Sequence, residues 1–152
     1  MTQEDKDLLL RDLCARIPYN VRMHEIDPTN NIQLEIFLSG VTCESNIAVK
    51  TKNKGIMCGA IEEFKPYLFP LSSMTEEQTK EVHSLIYQGV SESVDETKEW
   101  LKTRKENELR PITLTYLLNF KLVIDWLNEN HFDYRGLIKK GLAIDATGLN
   151  IY

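Results

Sequence analysis

The residues with the most varied chemistry lie together in one short stretch near the C-terminal end of the sequence. Aromatic rings beside an arginine are typical anchors of protein interfaces, because they bury a large area and offer directed donors. The stretch therefore predicts a partner-binding cluster, whose members are Trp126, His131, Asp133, Tyr134 and Arg135. A structural interpretation stays open beside it, since aromatic residues most often fill a core. In that interpretation Trp126 and Phe132 are core residues, and Asp133 caps the turn before Gly136.

Arg135 is the member of this cluster for which the two interpretations differ most. A guanidinium is always charged, and its planar fork suits either an internal carboxylate or the surface of a partner. Phe132 and Leu137 need burial and keep the segment close to the core, which favours the internal contact. We therefore expect a structural role for Arg135, with a loss of stability when its side chain is removed.

The histidines and cysteines do not form a recognisable metal-binding pattern. His24, His83 and His131 lie far apart, and none has a cysteine or histidine at the close spacing that structural zinc sites use. A site assembled from Cys43, Cys58 and a histidine remains the alternative. The three cysteines are an odd set without a Cys-x-x-Cys pair, so we expect reduced thiols that pack as small apolar residues. The sequence predicts no metal and no cofactor.

The sequence does not point to a catalytic apparatus, and it assigns no catalytic residue. It lacks a Gly-x-Ser-x-Gly nucleophile motif. Cys14 is expected on the apolar face of a helix, where burial keeps a thiol protonated and inert. The carboxylate pairs Glu62-Glu63 and Glu76-Glu77 have no neighbours that would bury one member, so we expect both pairs in solvent. A small enzyme of unspecified reaction is therefore the third candidate function.

The charge balance argues against nucleic acid as a partner. The chain has 18 Lys and Arg against 23 Asp and Glu, a net charge of −5, whereas phosphate binding needs clustered positive charge. The one basic tip, formed by Lys50, Lys52 and Lys54, is expected to be a solvated hairpin. No apolar run approaches the ~20 residues needed to cross a bilayer. We therefore expect no membrane contact and a cytoplasmic location.

The elements that must position these residues can be traced along the chain, whose 152 residues suit one domain over residues 1–152. Thr2 begins an amphipathic helix that runs from about Gln3 to Arg16 and is stopped by Pro18. Turn residues then recur at short intervals, and the alternation between them predicts an antiparallel meander of three to four strands. The extended segments are expected at Val21 to His24, Ile32 to Leu38, Val41 to Val49 and Ile56 to Ile61.

The second half of the sequence is mainly helical in pattern. Lys65 to Pro70 carries two prolines, which do not suit a central strand, and is expected to be an extended connector. A capping box, either of Ser73 with Glu76 or of Thr75 with Gln78, begins a helix. The polar stretch from Ser91 to Arg110 predicts an exposed helix or polar arm. A helix from Thr115 to about Asn130 is apolar nearly all round, which predicts burial, while residues 112–116 fit either strand or helix. Strands followed by helices predict an α+β fold with C-terminal helices packed on one face of the sheet.

Three stretches of the sequence resemble a family of small, uncharacterised proteins from gut bacterial genomes and the phages integrated there. The stretches are MTQEDKDLLLRDLCARIPY, KPYLFPLSSMTEEQ and DWLNENHFDYRGLIKKGLAI, and they cover 53 of 152 residues. The family pattern prefers glycine after Pro-Tyr, where this chain has Asn20, and both residues suit the same turn. The resemblance implies a cytosolic, mobile-element setting. It implies no reaction, and it carries over no catalytic or ligand residue.

These expectations give an order of candidate functions. The first is a non-enzymatic accessory protein of a prophage or mobile element that acts through contact with a protein partner. The second is a small-ligand-binding or sequestering protein used against host defence. A flat apolar surface favours the first function, whereas a deep polar pocket favours the second. A titratable group with a strongly shifted pKa inside such a pocket favours an enzyme.

Overall fold

The computed structural model describes residues 1–26, 35–42, 46–51, 55–88 and 111–152, with the backbone alone for residues 111–116. The chain forms two compact units. The first contains Met1–Met74 and Leu127–Tyr152, and the second contains Thr75–Trp126. The polar arm expected from Ser91 to Arg110 lies outside the described residues.

The first unit begins with helix α1 (Gln3–Arg16), as the sequence predicts. The Thr2 hydroxyl accepts a hydrogen bond from Asp5 N at 3.1 Å and caps the helix. A 3-10 turn containing Pro18 follows, and Asn20 makes the tight exit with a φ of 55°. The prediction for Cys14 is wrong, because its side chain is exposed and the buried face of α1 is centred on the neighbouring Leu13.

The first unit is built on a seven-stranded sheet with the order β4-β3-β2-β1-β5-β6, in which β7 also pairs with β5. The strands are β1 (Arg22–Glu25), β2 (Ile36–Val41), β3 (Asn46–Thr51), β4 (Gly55–Ala60), β5 (Phe64–Pro70), β6 (Phe132–Asp133) and β7 (Ile144–Asp145). The first five strands pair antiparallel, whereas β6 and β7 run parallel to β5. The expected three to four strands are therefore too few. The sequence prediction missed β5 and the two short strands that the C-terminal tail adds.

β5 corrects the expectation that Lys65 to Pro70 is a connector. Ile26 N donates to Glu63 O at 2.7 Å, so the backbone groups of Glu63 point towards β1. Successive residues of a strand point their backbone groups to alternate sides, so Lys65 also points towards β1 and the nitrogen of Pro66 points away from it. On that other side, β5 pairs with β7 over only two residues, both beyond Pro66. The missing N–H group of Pro66 therefore costs no ladder bond, and the proline is tolerated inside the sheet.

The core of the first unit joins α1, the sheet and the C-terminal segment. Ile36 and Leu38 share the buried face of β2, as their alternation predicts, whereas the earlier part of that predicted strand lies outside the described residues. The core side chains with no exposed surface are Leu9, Leu13, Val21, Ile47, Val49, Leu68 and Leu137. The fold is α+β, as predicted.

The second unit contains helix α2 (Glu76–Tyr87) and most of helix α3 (Pro111–Glu129). Of the two capping boxes that the sequence allows, the one at Thr75 is present, because Gln78 N donates to the Thr75 hydroxyl and Thr75 N donates to the Gln78 side chain. Residues 112–116 are helical rather than extended. Pro111 occupies the first position of α3, where an N–H group has no partner within the helix.

Asn119 holds the end of α2 against α3. Its Nδ2 atom donates to the carbonyl oxygens of Ile86 and Gln88, each at 2.9 Å, and the side chain is buried. These carbonyls belong to the last turn of α2 and have no partner further along that helix. Among the described residues, no helix is both long enough and apolar enough to cross a membrane.

Candidate functional site

A buried ion pair lies at the C-terminal end of α1. Arg16 donates from Nε to Asp12 Oδ2 at 2.7 Å and from Nη2 to Asp12 Oδ1 at 3.2 Å. Both side chains have no exposed surface. Arg16 Nη2 also donates to the carbonyl oxygen of Phe132 at 2.7 Å. The pair therefore ties α1 to β6, a contact between residues that are 116 positions apart in the sequence.

Arg135 and Tyr134 complete what we call the charged cluster: Asp12, Arg16, Tyr134 and Arg135. Arg135 Nε lies 3.3 Å from Asp12 Oδ1, so an internal carboxylate is the contact it makes. The guanidinium carbons of Arg16 and Arg135 lie 5.5 and 4.9 Å from the centre of the Tyr134 ring. Stacking of this kind adds to the attraction, because an aromatic face carries partial negative charge. One carboxylate thus faces two guanidinium groups.

The donors of Arg16 are only partly used. A guanidinium has five N–H donors, and the three bonds to Asp12 and Phe132 account for those on Nε and Nη2. Nη1 is buried without a hydrogen-bond partner, as is the hydroxyl of Tyr134. The guanidinium of Arg16 also lies over the ring of Tyr134. The charged cluster therefore acts as an internal tie.

His131 lies beside this cluster in an unusual backbone conformation, with a φ of 59°. Its ring stacks on Tyr152 with a centroid distance of 3.9 Å. Burial, together with the positive charge of Arg16, lowers the pKa of His131 to about 4. His131 is therefore neutral near pH 7.

Tyr152 joins the C-terminal end of the chain to the sheet. Its hydroxyl donates to the carbonyl oxygen of Tyr67 at 2.8 Å and accepts from Arg22 N at 3.1 Å. The Tyr152 side chain is 45% exposed, but desolvation of its hydrogen-bonded hydroxyl raises the pKa of Tyr152 to about 12. These bonds bridge β1 and β5 at the start of β1, so the stack of His131 and Tyr152 is part of the sheet's support.

Asp133 has a clear local task. Its buried carboxylate accepts from Leu137 N at 2.9 Å and from Ile138 N at 2.8 Å. The side chain thereby satisfies two backbone donors of the following turn. This arrangement matches the structural interpretation of the sequence, in which Asp133 caps that turn.

The structure thus brings together four of the five residues predicted to bind a partner. His131, Asp133, Tyr134 and Arg135 lie in the first unit, whereas Trp126 belongs to the second and is buried. Their binding of a partner stays a prediction. The sequence analysis missed Asp12 and Arg16. Their i,i+4 spacing on the same helix face as Leu9 and Leu13 is the signal that could have found them.

A second feature is an exposed apolar surface on α3, which we call the apolar helix face. Its members and their exposed fractions are Leu117 (58%), Leu118 (59%), Phe120 (57%) and Leu122 (41%). The opposite side of the helix, with Asn119, Val123 and Trp126, is buried. The expectation that α3 is buried all round is therefore wrong for these side chains. An all-apolar pattern cannot say which side of a helix lacks a neighbour.

The described residues contain no group of three or more histidine, cysteine or acidic side chains that could hold a metal. Cys58 is free and exposed, whereas Cys43, the other cysteine of the alternative metal site, lies outside the described residues. No protein-family model, curated protein or solved structure matches this chain.

Proposed function

We propose that this protein acts through contact with a protein partner and that the apolar helix face is the contact surface. The observation that carries the proposal is the exposure of four large apolar side chains on consecutive turns of one helix. Single exposed apolar residues are normal, whereas a group of large ones on one element marks an interaction surface.

The geometry of α3 places these side chains in two pairs. Leu117 and Phe120 are three residues apart, and Leu118 and Leu122 are four apart, so each pair is adjacent on the helix surface. Lys121 and Asp125 form an ion pair of 2.6 Å, and the helical spacing places it between the two apolar pairs. Two opposite charges give this surface no net charge, so a largely apolar partner surface is the best match.

Burying such side chains supplies enough energy for recognition. Complete burial of one leucine contributes about 1.5–3 kcal/mol relative to leaving it in water. Several leucines and a phenylalanine therefore offset a large part of the cost of association. We further propose, on the resemblance described above, that the setting is that of a non-enzymatic accessory protein of a mobile element.

The proposal is tested by capture of a partner with matched variants. The purified protein is immobilised and exposed to bacterial lysate, and the retained proteins are quantified. Leu118→Gln with Leu122→Gln keeps good helix formers in place but makes the surface polar. Leu149→Gln is the control, because Leu149 is similarly exposed (48%) but lies in the first unit.

A defined protein retained by the wild type and by Leu149→Gln, and lost from the double variant, supports the proposal. The double variant must also show the helical content of the wild type by circular dichroism. Equal retention by all three proteins, or no selective retention at all, contradicts the proposal.

A further inference from the structure

β4 stands at one end of the sheet and pairs with β3 on one side. The pairing is regular over all six residues, from Thr51 opposite Gly55 to Asn46 opposite Ala60. On the outer side of β4, no strand pairs with it among the residues that the structure describes. An edge of this kind presents backbone donors and acceptors that another chain can use.

The hydrogen-bond pattern shows which residues of β4 face outwards. Thr42 N donates to Asn46 O at 2.8 Å, so the backbone groups of Asn46 point towards β2 rather than towards β4. Residues alternate along an antiparallel ladder, so Ala60, opposite Asn46, points away from β3. By the same alternation, Ile56 and Cys58 also direct their N–H and C=O groups outwards.

At one end of this edge, the outward N–H group of Ala60 already has a partner within the chain. Ala60 N donates to the carboxylate of Glu63 at 3.1 Å. The N–H and C=O groups of Ile56 and Cys58 remain on the outer side. These two residues therefore define the part of the edge that can accept another strand.

β4 lacks the features that usually protect an edge strand. Its sequence, Gly-Ile-Met-Cys-Gly-Ala, contains no charged residue and no proline, and its pairing with β3 shows no bulge. Ile56 is 66% exposed and Cys58 is also exposed. Charges, prolines and bulges are the common means by which edge strands avoid pairing.

We propose that β4 pairs antiparallel with β4 of a second copy of this chain, with Met57 opposite Met57 of the second copy. Outward-facing residues must meet outward-facing residues for ladder bonds to form. In this register Ile56 lies opposite Cys58 of the second copy, and Cys58 opposite Ile56. The N–H and C=O groups of Ile56 and Cys58 in each copy then form hydrogen bonds with the other copy, which extends the sheet across the two molecules.

The side chains favour a second copy as the occupant. In the proposed register the large Ile56 faces the small Cys58, and Gly55 faces Gly59, so bulky side chains do not collide. Neither strand carries a charge, so no like charges meet at the two-fold axis. Met57, which packs partly against the core of its own unit, meets its equivalent on the same face of the sheet.

The first test is the oligomeric state by analytical ultracentrifugation under reducing conditions, from micromolar to millimolar protein. The wild type is expected to be a dimer. Ile56→Pro removes a donor that points outwards and leaves the bonds to β3 in place. Its dimer dissociation constant should rise by more than about tenfold, because two hydrogen bonds are lost per dimer. Ile56→Thr is the control, since it keeps the donor and suits a strand.

The second test does not depend on the folding of the proline variant. Residues opposite each other in a hydrogen-bonded pair have Cα atoms about 5.5 Å apart, within the range of a disulfide. Ile56→Cys should therefore form a cross-linked dimer rapidly under mild oxidation, through Cys58 of the second copy. Ile56→Cys combined with Cys58→Ser should lose the rapid cross-link, because this register does not place the two copies of residue 56 opposite each other.

Either of two results overturns the inference. One is a wild type that stays monomeric throughout the concentration range. The other is a dimer that Ile56→Pro does not weaken and Ile56→Cys does not cross-link. The inference is independent of the apolar helix face, so the variants of Leu118 and Leu122 should leave this self-association unchanged.

Discussion

The charged residues at the end of α1 show how burial and pairing are linked in this protein. Asp12 and Arg16 have no exposed surface, and each would be very unfavourable there without the other. Arg135 reaches the same carboxylate from the surface, where its side chain is 30% exposed. Removal of the buried Arg16 guanidinium should therefore lower the free energy of unfolding more than removal of the Arg135 guanidinium.

We predict that Arg16→Ala lowers the free energy of unfolding by about 3–5 kcal/mol, because it leaves the buried Asp12 carboxylate without its closest partner. Arg135→Ala should cost about 1 kcal/mol, since Asp12 keeps Arg16 and solvent weakens the lost pair. Urea unfolding midpoints measure both effects. Lys140→Ala, which breaks the exposed pair with Asp5, is the control and should unfold close to the wild type. Equal midpoints for Arg16→Ala and Lys140→Ala would refute the structural role.

His131 predicts a specific pH dependence. Its pKa is about 4 in the folded protein against 6.5 as the ordinary value, so the unfolded chain binds a proton first as the pH falls. Stability should therefore decline as the pH falls from about 6.5 to about 4 and lose no more from this group at lower pH. Thermal unfolding of the wild type and His131→Asn over this range tests the prediction, because asparagine tolerates the positive φ. Leu149→Asn, at an exposed residue that does not titrate, is the control and should keep the wild-type slope.

At the scale of elements, β5 shows that the position of a proline in the hydrogen-bond alternation matters more than its presence. The backbone nitrogen of Pro66 points away from β1, whereas the backbone groups of Lys65 point towards β1. Pro66→Ala should therefore change the free energy of unfolding by less than about 1 kcal/mol, mainly because alanine raises the conformational entropy of the unfolded chain. Lys65→Pro should cost about 3 kcal/mol or more, because it removes a bond to β1. Similar unfolding midpoints for the two variants would show that the register is wrong.

The contact between α2 and α3 leads to another prediction at this scale. Asn119→Ala removes both hydrogen bonds to the carbonyls at the end of α2 and should cost about 2 kcal/mol. Hydrogen exchange should also accelerate in the last turn of α2. Gln88→Ala is the matched control, because the bond uses the backbone carbonyl of Gln88 rather than its side chain. Unchanged exchange in the Asn119 variant would mean that the end of α2 is held in another way.

At the scale of the whole molecule, the cysteines give a simple prediction about covalent structure. Cys14 and Cys58 are free and exposed, so both thiols should react rapidly with a thiol reagent in the native protein. All three cysteines of the sequence should react under denaturant. Alkylated protein without added reductant is the blank. A titration that returns only one thiol under denaturant would reveal a disulfide and contradict the expectation of reduced cysteines.

The sequence by itself determined the features that depend on neighbours within a few positions. Thr2 caps α1 and Pro18 ends it. The sequence also places a capping box at the start of α2, and the structure selects Thr75 with Gln78 from the two candidates. The alternation of Ile36 and Leu38 likewise identifies the buried face of β2. Each of these follows from bonds or side-chain directions set by the local backbone, so no distant contact is needed to predict it.

The tertiary structure alone decided which faces of these elements are covered. The place of β5 within the sheet depends on which side β1 occupies, and the burial of Asp12 and Arg16 depends on the arrival of residues 132–135 from the far end of the chain. The exposure of Leu117 and Leu118 depends on the absence of a neighbour among the described residues. A periodic pattern records that a face is apolar, but burial is a property of two surfaces, and the second surface is supplied by residues distant in the sequence.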